Sequence, residues 1–293
     1  MAPLESADMN YSWRLTEVAA GLHAFVLATE LDSEERHPPT SGPAMEHTEV
    51  VSPGLVTTRR GGVSKGPFGD LNVSFRVGDD PVSVRGNREF IAWGLGLEES
   101  ACTRPEQVHG DLVLPVDSPG DYAGADGLVS ASRRLWLSVH VADCVPVFVF
   151  TPDLSSVGLA HAGRKGTAAG ITANLINVFK SSCQCDAPQL IVALGPSVGP
   201  CCYELDADTA SRLRADCVVR RQGKFFFDLW EANRLQALEE GVGPDNVVMP
   251  PACTSCRADL LFSHRAHAGR TGRQMAVTRP GGLRFRGTAV PRQ

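Results

Sequence analysis

Several features that identify common classes of protein are missing from this sequence of 293 residues. No apolar stretch approaches the roughly 18 uninterrupted residues that a transmembrane helix needs. Near the N-terminus stand Glu5 and Asp8, not the basic residues and apolar run of a secretion signal. The formal net charge of −5 disfavours binding to nucleic acid or membrane surfaces. We therefore expect a cytoplasmic globular protein, monomeric or homodimeric, with no nucleic-acid or membrane partner.

Two nucleotide-binding fingerprints, G-x-G-x-x-G and G-x-x-x-x-G-K-[ST], are also missing. The eight histidines form no His-x-His pair, so the sequence does not favour multicopper oxidase chemistry, which needs many histidines. The cysteines number nine, an odd total in a chain without a recognisable signal. A disulfide scaffold is therefore not expected, and roles in metal binding or reactivity gain weight.

The first 48 residues differ in pattern from the rest of the chain. The stretch from Trp13 to Leu31 is predicted to form a short amphipathic helix. The stretch from Asp32 to Pro43 is polar and rich in proline, as linkers are. We therefore predict an N-terminal extension and linker over residues 1–48 and a single domain over residues 49–293.

From Pro53 onward, segments with strand and helix patterns are mixed. The long apolar segment from Leu135 to Phe150 is predicted as a buried strand, a bulge or turn, and a second strand. The order of elements is not a simple βαβ series, so the sequence favours an α+β fold. Further strands are predicted over residues 54–58, 111–116, 157–160 and 190–194, and helices over residues 82–97, 167–179 and 228–240.

Three residues at the ends of predicted strands give the strongest chemical signal: His109, Cys144 and His161. One thiolate and two imidazoles suit zinc, and three protein ligands leave a coordination position open, as in catalytic sites. The alternative is two ordinary histidines and one buried cysteine. The residues around them are small or typical of turns, and side chains at such strand ends reach into clefts.

Other residues are open to two interpretations. Asp143 either orients a ligating imidazole or acts as an acid or base, or it satisfies backbone amides at a bulge. For Asp126 a turn role is favoured, and for His140 a structural one. The glycine-rich loop from Arg59 to Gly69 presents either a site for phosphate or substrate or a surface turn.

The remaining cysteines suggest a second site. The adjacent pair Cys201-Cys202 follows a constrained loop and is expected to line or brace a pocket. Cys253-x-x-Cys256 and Cys183-x-Cys185 have spacings that would suit a structural zinc or redox pairs. Free thiols are the default interpretation.

Short motifs spread along the chain carry a resemblance to a known family. They include Thr58-Arg59-Arg60-Gly61-Gly62-Val63-Ser64, Gln107-Val108-His109-Gly110, Ala125-Asp126-Gly127, Ala142-Asp143-Cys144-Val145-Pro146, His161-Ala162-Gly163, Gly199-Pro200-Cys201-Cys202-Tyr203-Glu204 and Phe262-Ser263-His264-Arg265. In this order they resemble the laccase-domain or multicopper polyphenol oxidoreductase family, over roughly Val51 to Val277.

The resemblance implies a four-layer α-β-β-α sandwich with mixed sheets, and a laccase-like catalytic domain over residues 49–293. It implies Zn²⁺ on His109, Cys144 and His161. It also implies phosphorolysis of adenosine, inosine and 5′-methylthioadenosine to free base and ribose 1-phosphate, with adenosine deaminase as a second activity. Purine nucleoside and phosphate would then be the partners, and Arg59 is predicted to contact phosphate or ribose.

One departure from the family pattern bears on the substrate. Members of the family usually carry tryptophan and then arginine after His-Ala-Gly, where this chain has Arg164 and Lys165. Both are predicted to contact substrate, and arginine stacks on a base differently from tryptophan.

Three alternative functions remain. One is polyphenol oxidation, and another is hydrolysis of amides in peptidoglycan precursors with Cys144 as nucleophile and His161 as base. The third is a non-enzymatic binding module braced by zinc.

Overall fold

A computed structural model describes residues 10–29 and 49–286 of the chain. Numbered along the chain, the strands are β1 Tyr11–Ala19, β2 Leu22–Thr29, β3 Glu49–Thr57, β4 Cys102–Pro105, β5 Val113–Pro115, β6 Gly120–Tyr122, β7 Gly127–Ser130, β8 Trp136–Val141, β9 Val145–Phe150, β10 Val157–Ala162, β11 Ile191–Leu194, β12 Glu204–Leu205, β13 Val218–Arg221, β14 Lys224–Phe227, β15 Val247–Val248 and β16 Gln274–Arg286. The helices are α1 Pro81–Gly94, α2 Arg164–Ala169, α3 Ile171–Cys183, α4 Ala207–Ser211 and α5 Leu229–Glu239.

The strands form two large sheets and one small one. The seven-stranded sheet has the order β1-β2-β3-β16-β8-β4-β6, and the six-stranded sheet has the order β15-β11-β9-β10-β7-β5. Both are mixed, because β4 runs parallel to β8 while β16 runs antiparallel to it, and β5 runs parallel to β7 while β10 runs antiparallel to it. The small sheet has the order β12-β14-β13.

Buried clusters show how the layers stack. Helix α1 packs Ile91 against Leu55 on the outer face of the seven-stranded sheet. The inner face of that sheet contributes Val139 to a cluster with Phe148 of the six-stranded sheet. Helices α3 and α5 cover the far face of the six-stranded sheet, with Leu175 in its core. The predicted α+β fold with four layers is therefore confirmed.

Strand β9 lies between two of these layers. Its phenylalanines, Phe148 and Phe150, belong to the cluster between the sheets, and its valines, including Val147 and Val149, belong to the cluster beneath the helices. All six residues are buried. Because both faces of the strand are covered, its sequence is a continuous apolar run without polar alternation.

The segment from Leu135 to Phe150 does form two strands with a turn between them, as predicted. The strands, β8 and β9, belong to different sheets. The chain therefore passes from one layer of the sandwich to the other through residues 142–144. This crossing places Cys144 at the edge where the two sheets meet.

The predicted helices over residues 82–97 and 228–240 correspond to α1 and α5, and Asp228 caps α5 by accepting a hydrogen bond from the Glu231 N–H at 3.0 Å. The single helix predicted over residues 167–179 is instead two helices, α2 and α3. Gly170 separates them with a φ of +92°, a left-handed conformation that glycine adopts without a steric penalty. None of the helices in the described ranges is long and apolar enough to cross a membrane.

The helix predicted between Trp13 and Leu31 is wrong, because β1 and β2 form an antiparallel hairpin there. In β2, Ala24 and Val26 face the cluster under α1, whereas Leu27 joins the cluster between the sheets. Both faces of the strand carry apolar side chains. The alternation that marks a half-exposed strand is therefore absent, and the apolar spacing resembles that of a helix.

The hairpin belongs to the seven-stranded sheet. Strand β2 pairs with β3, with Ala24 opposite Thr57 and Val26 opposite Leu55. A Cβ atom added at Gly94 in α1 would lie 2.8 Å from Leu22 Cδ2, so the helix and the hairpin are in close contact. The predicted linker over residues 32–43 lies outside the described residues. The boundary predicted between residues 48 and 49 stays a prediction for truncation to test.

Deletion of residues 1–48 removes β1 and β2 and uncovers apolar side chains under α1. We expect the thermal unfolding midpoint to fall by at least about 5 °C, because each large apolar side chain contributes about 1.5–3 kcal/mol when buried. Differential scanning fluorimetry measures the shift, and deletion of residues 1–9 alone is the control. An unchanged midpoint in the longer deletion would identify the segment as an appendage.

Candidate metal centre

The structure brings the three predicted ligands together. One nitrogen from each of His109 and His161 and the Sγ of Cys144 all lie within 4.8 Å of one another. His109 lies in the loop between β4 and β5, Cys144 directly precedes β9, and His161 is in β10. The two imidazole rings meet edge to face with centroids 4.7 Å apart. Residues distant in sequence thus form one compact donor group.

The loop that carries His109 has an unusual backbone. Gln107 and His109 adopt positive φ angles of 64° and 63°, which are costly for residues other than glycine. The N–H groups of Val108, His109 and Gly110 compensate by donating to the carboxylate of Asp126 at 3.0, 3.0 and 2.7 Å. Three consecutive amides around one carboxylate form a concave anion-binding turn, and it fixes the direction of the His109 side chain.

The same carboxylate orients His161. Asp126 Oδ1 lies 2.9 Å from His161 Nδ1, and both side chains are buried. An ionised carboxylate only accepts hydrogen bonds, so Nδ1 carries the proton and Nε2 is the nitrogen that faces the other donors. Burial opposes ionisation of Asp126, but the hydrogen bonds from His161 and the loop amides outweigh it and lower its pKa. Asp126 thus braces a turn, the role favoured from sequence, and the same carboxylate also orients His161.

The surroundings of Cys144 favour its thiolate form. Burial raises the pKa of this thiol, but the charge of His161 and hydrogen bonds from His109 and His161 outweigh it and bring the pKa to about 6. Burial lowers the pKa of His161, but the nearby Cys144 and Asp126 raise it to about 9. The thiolate is the form of cysteine that binds metals.

Glycine is required beside these donors. A Cβ atom at Gly163 would lie 3.0 Å from Cys144 Sγ and 3.1 Å from His109 Cδ2. A Cβ atom at Gly166 would lie 2.5 Å from the carbonyl oxygen of Gly110. The start of α2 therefore approaches the His109 loop closely.

The donor group fits Zn²⁺. It offers one thiolate and two imidazoles, of which one has a fixed tautomer, and the donor atoms are closely spaced.

Asp143 braces the crossing between β8 and β9. Its backbone has a positive φ of 88°. Its carboxylate accepts hydrogen bonds from Thr254 Oγ1 at 2.6 Å, Ser263 Oγ at 2.7 Å and the Arg265 N–H at 2.6 Å. These contacts hold the turn that presents Cys144 and tie it to the segment from Thr254 to Arg265. They support the backbone-bracing interpretation of Asp143 more than a role in proton transfer.

Arg59 lies elsewhere. Its Nε and Nη2 donate to the carbonyl oxygen of Gly69 at 2.9 and 2.8 Å, and its Nη1 donates to that of Ala258 at 2.9 Å. The guanidinium also stacks over the Phe262 ring at 4.9 Å. The side chain therefore closes the glycine-rich loop on itself and is not among the residues that line the pocket. Its contacts do not support the predicted binding of phosphate.

The three donors open into a cavity of about 1350 Å³. Arg164 and Lys165 line it, as predicted, at the start of α2. The cavity has more cationic than acidic side chains: Arg76, Arg88, Arg104, Arg164, Lys165, Arg265 and Arg273 against Glu106, Asp121 and Asp143. A chain with a net charge of −5 thus places a cationic pocket beside its candidate metal centre.

Among the other pocket residues, Tyr203, His264 and Arg265 were not identified as site residues from sequence. The Arg265 guanidinium lies 5.1 Å from the Tyr203 ring centroid. Their motifs were visible, but no spacing links them to the donor trio, because separate loops bring them to the cavity. His140 also lines the cavity; its backbone pairs with the Gln107 side chain, in keeping with its predicted structural role.

Comparison with known proteins finds curated relatives that match most of the chain. A curated "Purine nucleoside phosphorylase YlmD" of Geobacillus stearothermophilus is 38% identical over 241 residues, which cover 75% of this chain and 87% of that protein. A "Purine nucleoside phosphorylase" of Deinococcus radiodurans is 36% identical over 239 residues, or 80% of this chain and 92% of that protein.

Solved structures show the same architecture. The crystal structure of YlmD from Geobacillus stearothermophilus matches with a TM-score of 0.76 and 34% sequence identity, over 90% of this chain and 98% of that one. The family model described as "Multi-copper polyphenol oxidoreductase laccase" matches residues 54–279, a range that includes the donor trio, Asp126 and the pocket-lining loops. The chain belongs to the multi-copper polyphenol oxidoreductase laccase family.

Proposed function

We propose that this protein is a zinc-dependent purine nucleoside phosphorylase. The observation that carries the proposal is the donor group of His109, Cys144 and His161 in a cavity lined mainly by cationic side chains. Relatives that cover most of the chain carry the name of this activity. Adenosine, inosine and 5′-methylthioadenosine are the proposed substrates, and the cytoplasm is the proposed compartment.

The proposal assigns a role to each part of the cavity. His109, Cys144 and His161 would hold the ion, which supplies a Lewis acid that polarises a substrate oxygen. Asp126 fixes the imidazoles before substrate binds, so little reorganisation accompanies the reaction. At about 1350 Å³ the cavity exceeds the usual size of a site for one small ligand. It therefore has room for a nucleoside and phosphate together.

Phosphate is assigned to Arg164 and Lys165, the two cavity cations that closely follow the ligand His161 in sequence. No hydrogen bond within the described part of the chain engages the side chains of Arg164 and Lys165. Both follow Gly163, where an added Cβ atom would lie 3.0 Å from Cys144 Sγ and 3.1 Å from His109 Cδ2. Their charges would bind the phosphate dianion and hold it for attack on C1′ of the ribose, while the glycosidic C–N bond breaks and its electron pair leaves with the base. Tyr203 offers an aromatic face for the purine.

Adenosine deamination is proposed as a second activity. It differs from phosphorolysis because water, not phosphate, is the nucleophile, and because the attacked atom is C6 of the base. The base must then lie over the donor group where phosphorolysis requires the ribose. A cavity of this size can place either the base or the ribose over the donor group. The ratio of deamination to phosphorolysis therefore depends on the residues that bind the base.

A cysteine hydrolase is a second candidate, and one observation favours it. Cys144, His161 and Asp126 stand in the order nucleophile, base and orienting carboxylate, and the pKa of Cys144 lies near 6. The substrate would be an amide of a peptidoglycan precursor. Polyphenol oxidation is disfavoured, because the two candidate metal groups in the described ranges contain only two histidines between them.

Removal of the candidate ligand His109 separates the phosphorylase from the hydrolase. Zinc-containing protein should release ribose 1-phosphate from adenosine only when phosphate is present. The change His109→Ala should lower this rate about 100-fold or more, because losing even an outer partner of a metal ligand costs about 10–100-fold. A coupled assay for ribose 1-phosphate measures the rate, and His23→Asn removes an imidazole far from the cavity as a control.

Two results would contradict the phosphorylase. One is a zinc-containing protein that turns over no purine nucleoside. The other is amide hydrolysis that survives His109→Ala but is abolished by alkylation of Cys144, which would establish the hydrolase.

Removing the charge of Asp126 tests its role in orienting the candidate ligands. The change Asp126→Asn keeps the size of the side chain but replaces an acceptor with a donor that faces backbone N–H groups. We expect zinc affinity at the trio to fall about 10–100-fold. Competition with a chromophoric chelator measures the affinity, with circular dichroism to verify folding. Asp121→Asn, a pocket carboxylate paired with Arg104, is the control, and equal affinities in the two variants would refute the role of Asp126.

Removing the charge of Arg164 tests its proposed contact with phosphate. The change Arg164→Gln should raise the KM for phosphate about tenfold and leave the KM for nucleoside nearly unchanged, since one charge-assisted hydrogen bond contributes about 1.5–3 kcal/mol. Steady-state kinetics with each substrate varied in turn measures both constants. Arg212→Gln, at an exposed arginine paired with Asp208, is the control. A rise confined to the nucleoside KM would move Arg164 to the base subsite.

A further inference from the structure

Four cysteines form a second donor group outside the candidate active centre. The Sγ atoms of Cys201, Cys202, Cys253 and Cys256 all lie within 4.8 Å of one another. From sequence, free thiols were the default interpretation, and a group of Cys253-x-x-Cys256 with Cys183-x-Cys185 was the alternative; Cys183 and Cys185 lie outside the group that the structure forms. The loop after β11 brings Cys201 and Cys202 to the group instead, because Ser197 forms a parallel bridge with Cys253.

The backbone around Cys253 is arranged as in a thiolate turn. Its Sγ accepts a hydrogen bond from the Gly199 N–H at 3.2 Å. Such N–H donors stabilise a negative sulfur. The turn Cys253-Thr254-Ser255-Cys256 also has the two-residue spacing found in structural zinc sites.

Disulfide pairing explains this group less well than a shared ion does. Cys201 and Cys202 each lie 3.5 Å from Cys256 through their Sγ atoms, so both compete for the same partner. Two disulfides would require the four sulfur atoms to form two separate pairs, whereas all four lie within 4.8 Å of one another. Sulfur atoms around one tetrahedral zinc lie about 3.8 Å apart, given Zn–S distances of about 2.3 Å. The observed spacing suits that arrangement for all four.

We propose that Cys201, Cys202, Cys253 and Cys256 bind a second, structural Zn²⁺ that is separate from the candidate catalytic centre. Four thiolates complete a tetrahedral shell and leave no position for substrate. Thiolate ligands also select zinc over the harder Mg²⁺ and Ca²⁺. The inference does not depend on which reaction the protein catalyses.

The proposed ion would fasten one wall of the cavity. Cys202 immediately precedes Tyr203, which lines the cavity. Thr254, between the other two ligands, donates to Asp143 beside Cys144. Cross-linking these two loops would therefore hold both the aromatic wall and the turn that presents Cys144.

Metal content of the full chain, purified with a reductant, tests the proposal. We expect two zinc ions per chain by mass spectrometry of the elements, and one in each of His109→Ala, Cys201→Ser and Cys256→Ser. Cys183→Ser, which alters a thiol outside the group, is the matched control and should keep two. Both Cys201 and Cys256 are exposed, so their serine variants change little in the core.

Cobalt substitution supplies a second measurement, the absorption spectrum of bound Co²⁺. It detects thiolate ligands directly and does not rely on the loss of zinc, which misfolding of a variant would also cause. His109→Ala reconstituted with Co²⁺ should show the intense sulfur-to-cobalt charge-transfer bands of a four-thiolate site. Adding Cys256→Ser to it should abolish them. One zinc per wild-type chain that is lost in His109→Ala would overturn the proposal. So would a disulfide to Cys256 found by peptide mapping under non-reducing conditions, after free thiols are alkylated.

Discussion

The buried carboxylate of Asp126 is the interaction on which the candidate centre depends. It binds three amides of the His109 loop and the ring of His161 at the same time. A charge with no exposed surface is tolerated only when several donors satisfy it. These hydrogen bonds therefore offset both the cost of burying the carboxylate and the cost of the left-handed backbone at His109. Two ligands, one in a loop and one in strand β10, take their positions from one carboxylate.

The sandwich supplies the third ligand through its topology. The chain leaves the seven-stranded sheet at the end of β8 and enters the six-stranded sheet at β9, so Cys144 stands where the layers meet. Asp143 keeps this turn in place by binding the segment from Thr254 to Arg265. The same segment contributes His264 to the cavity. Ligand geometry and the shape of the substrate cavity are thus set by shared contacts.

The sequence identified residues whose function follows from the side-chain type alone. His109, Cys144 and His161 stood out because imidazole and thiolate are good zinc ligands, and the layered fold followed from the family motifs. The sequence predicts a helix in place of the β1–β2 hairpin because β2 carries apolar side chains on both faces. It predicts the turn role of Asp126 but neither its contact with His161 nor the thiols that lie near Cys253. In each case a tertiary contact, invisible to spacing, decided the outcome.

The burial of β9 has a consequence for the lifetime of the centre. Cys144 precedes a strand whose six residues are all buried, and His161 lies in the neighbouring strand β10, buried throughout as well. Strands of this kind open only when the whole domain unfolds. Two ligands are therefore held by buried strands, and His109 is the one of the three that lies in a loop away from these strands. Exchange of a bound ion would follow the opening of that loop on the microsecond-to-second scale of local motions.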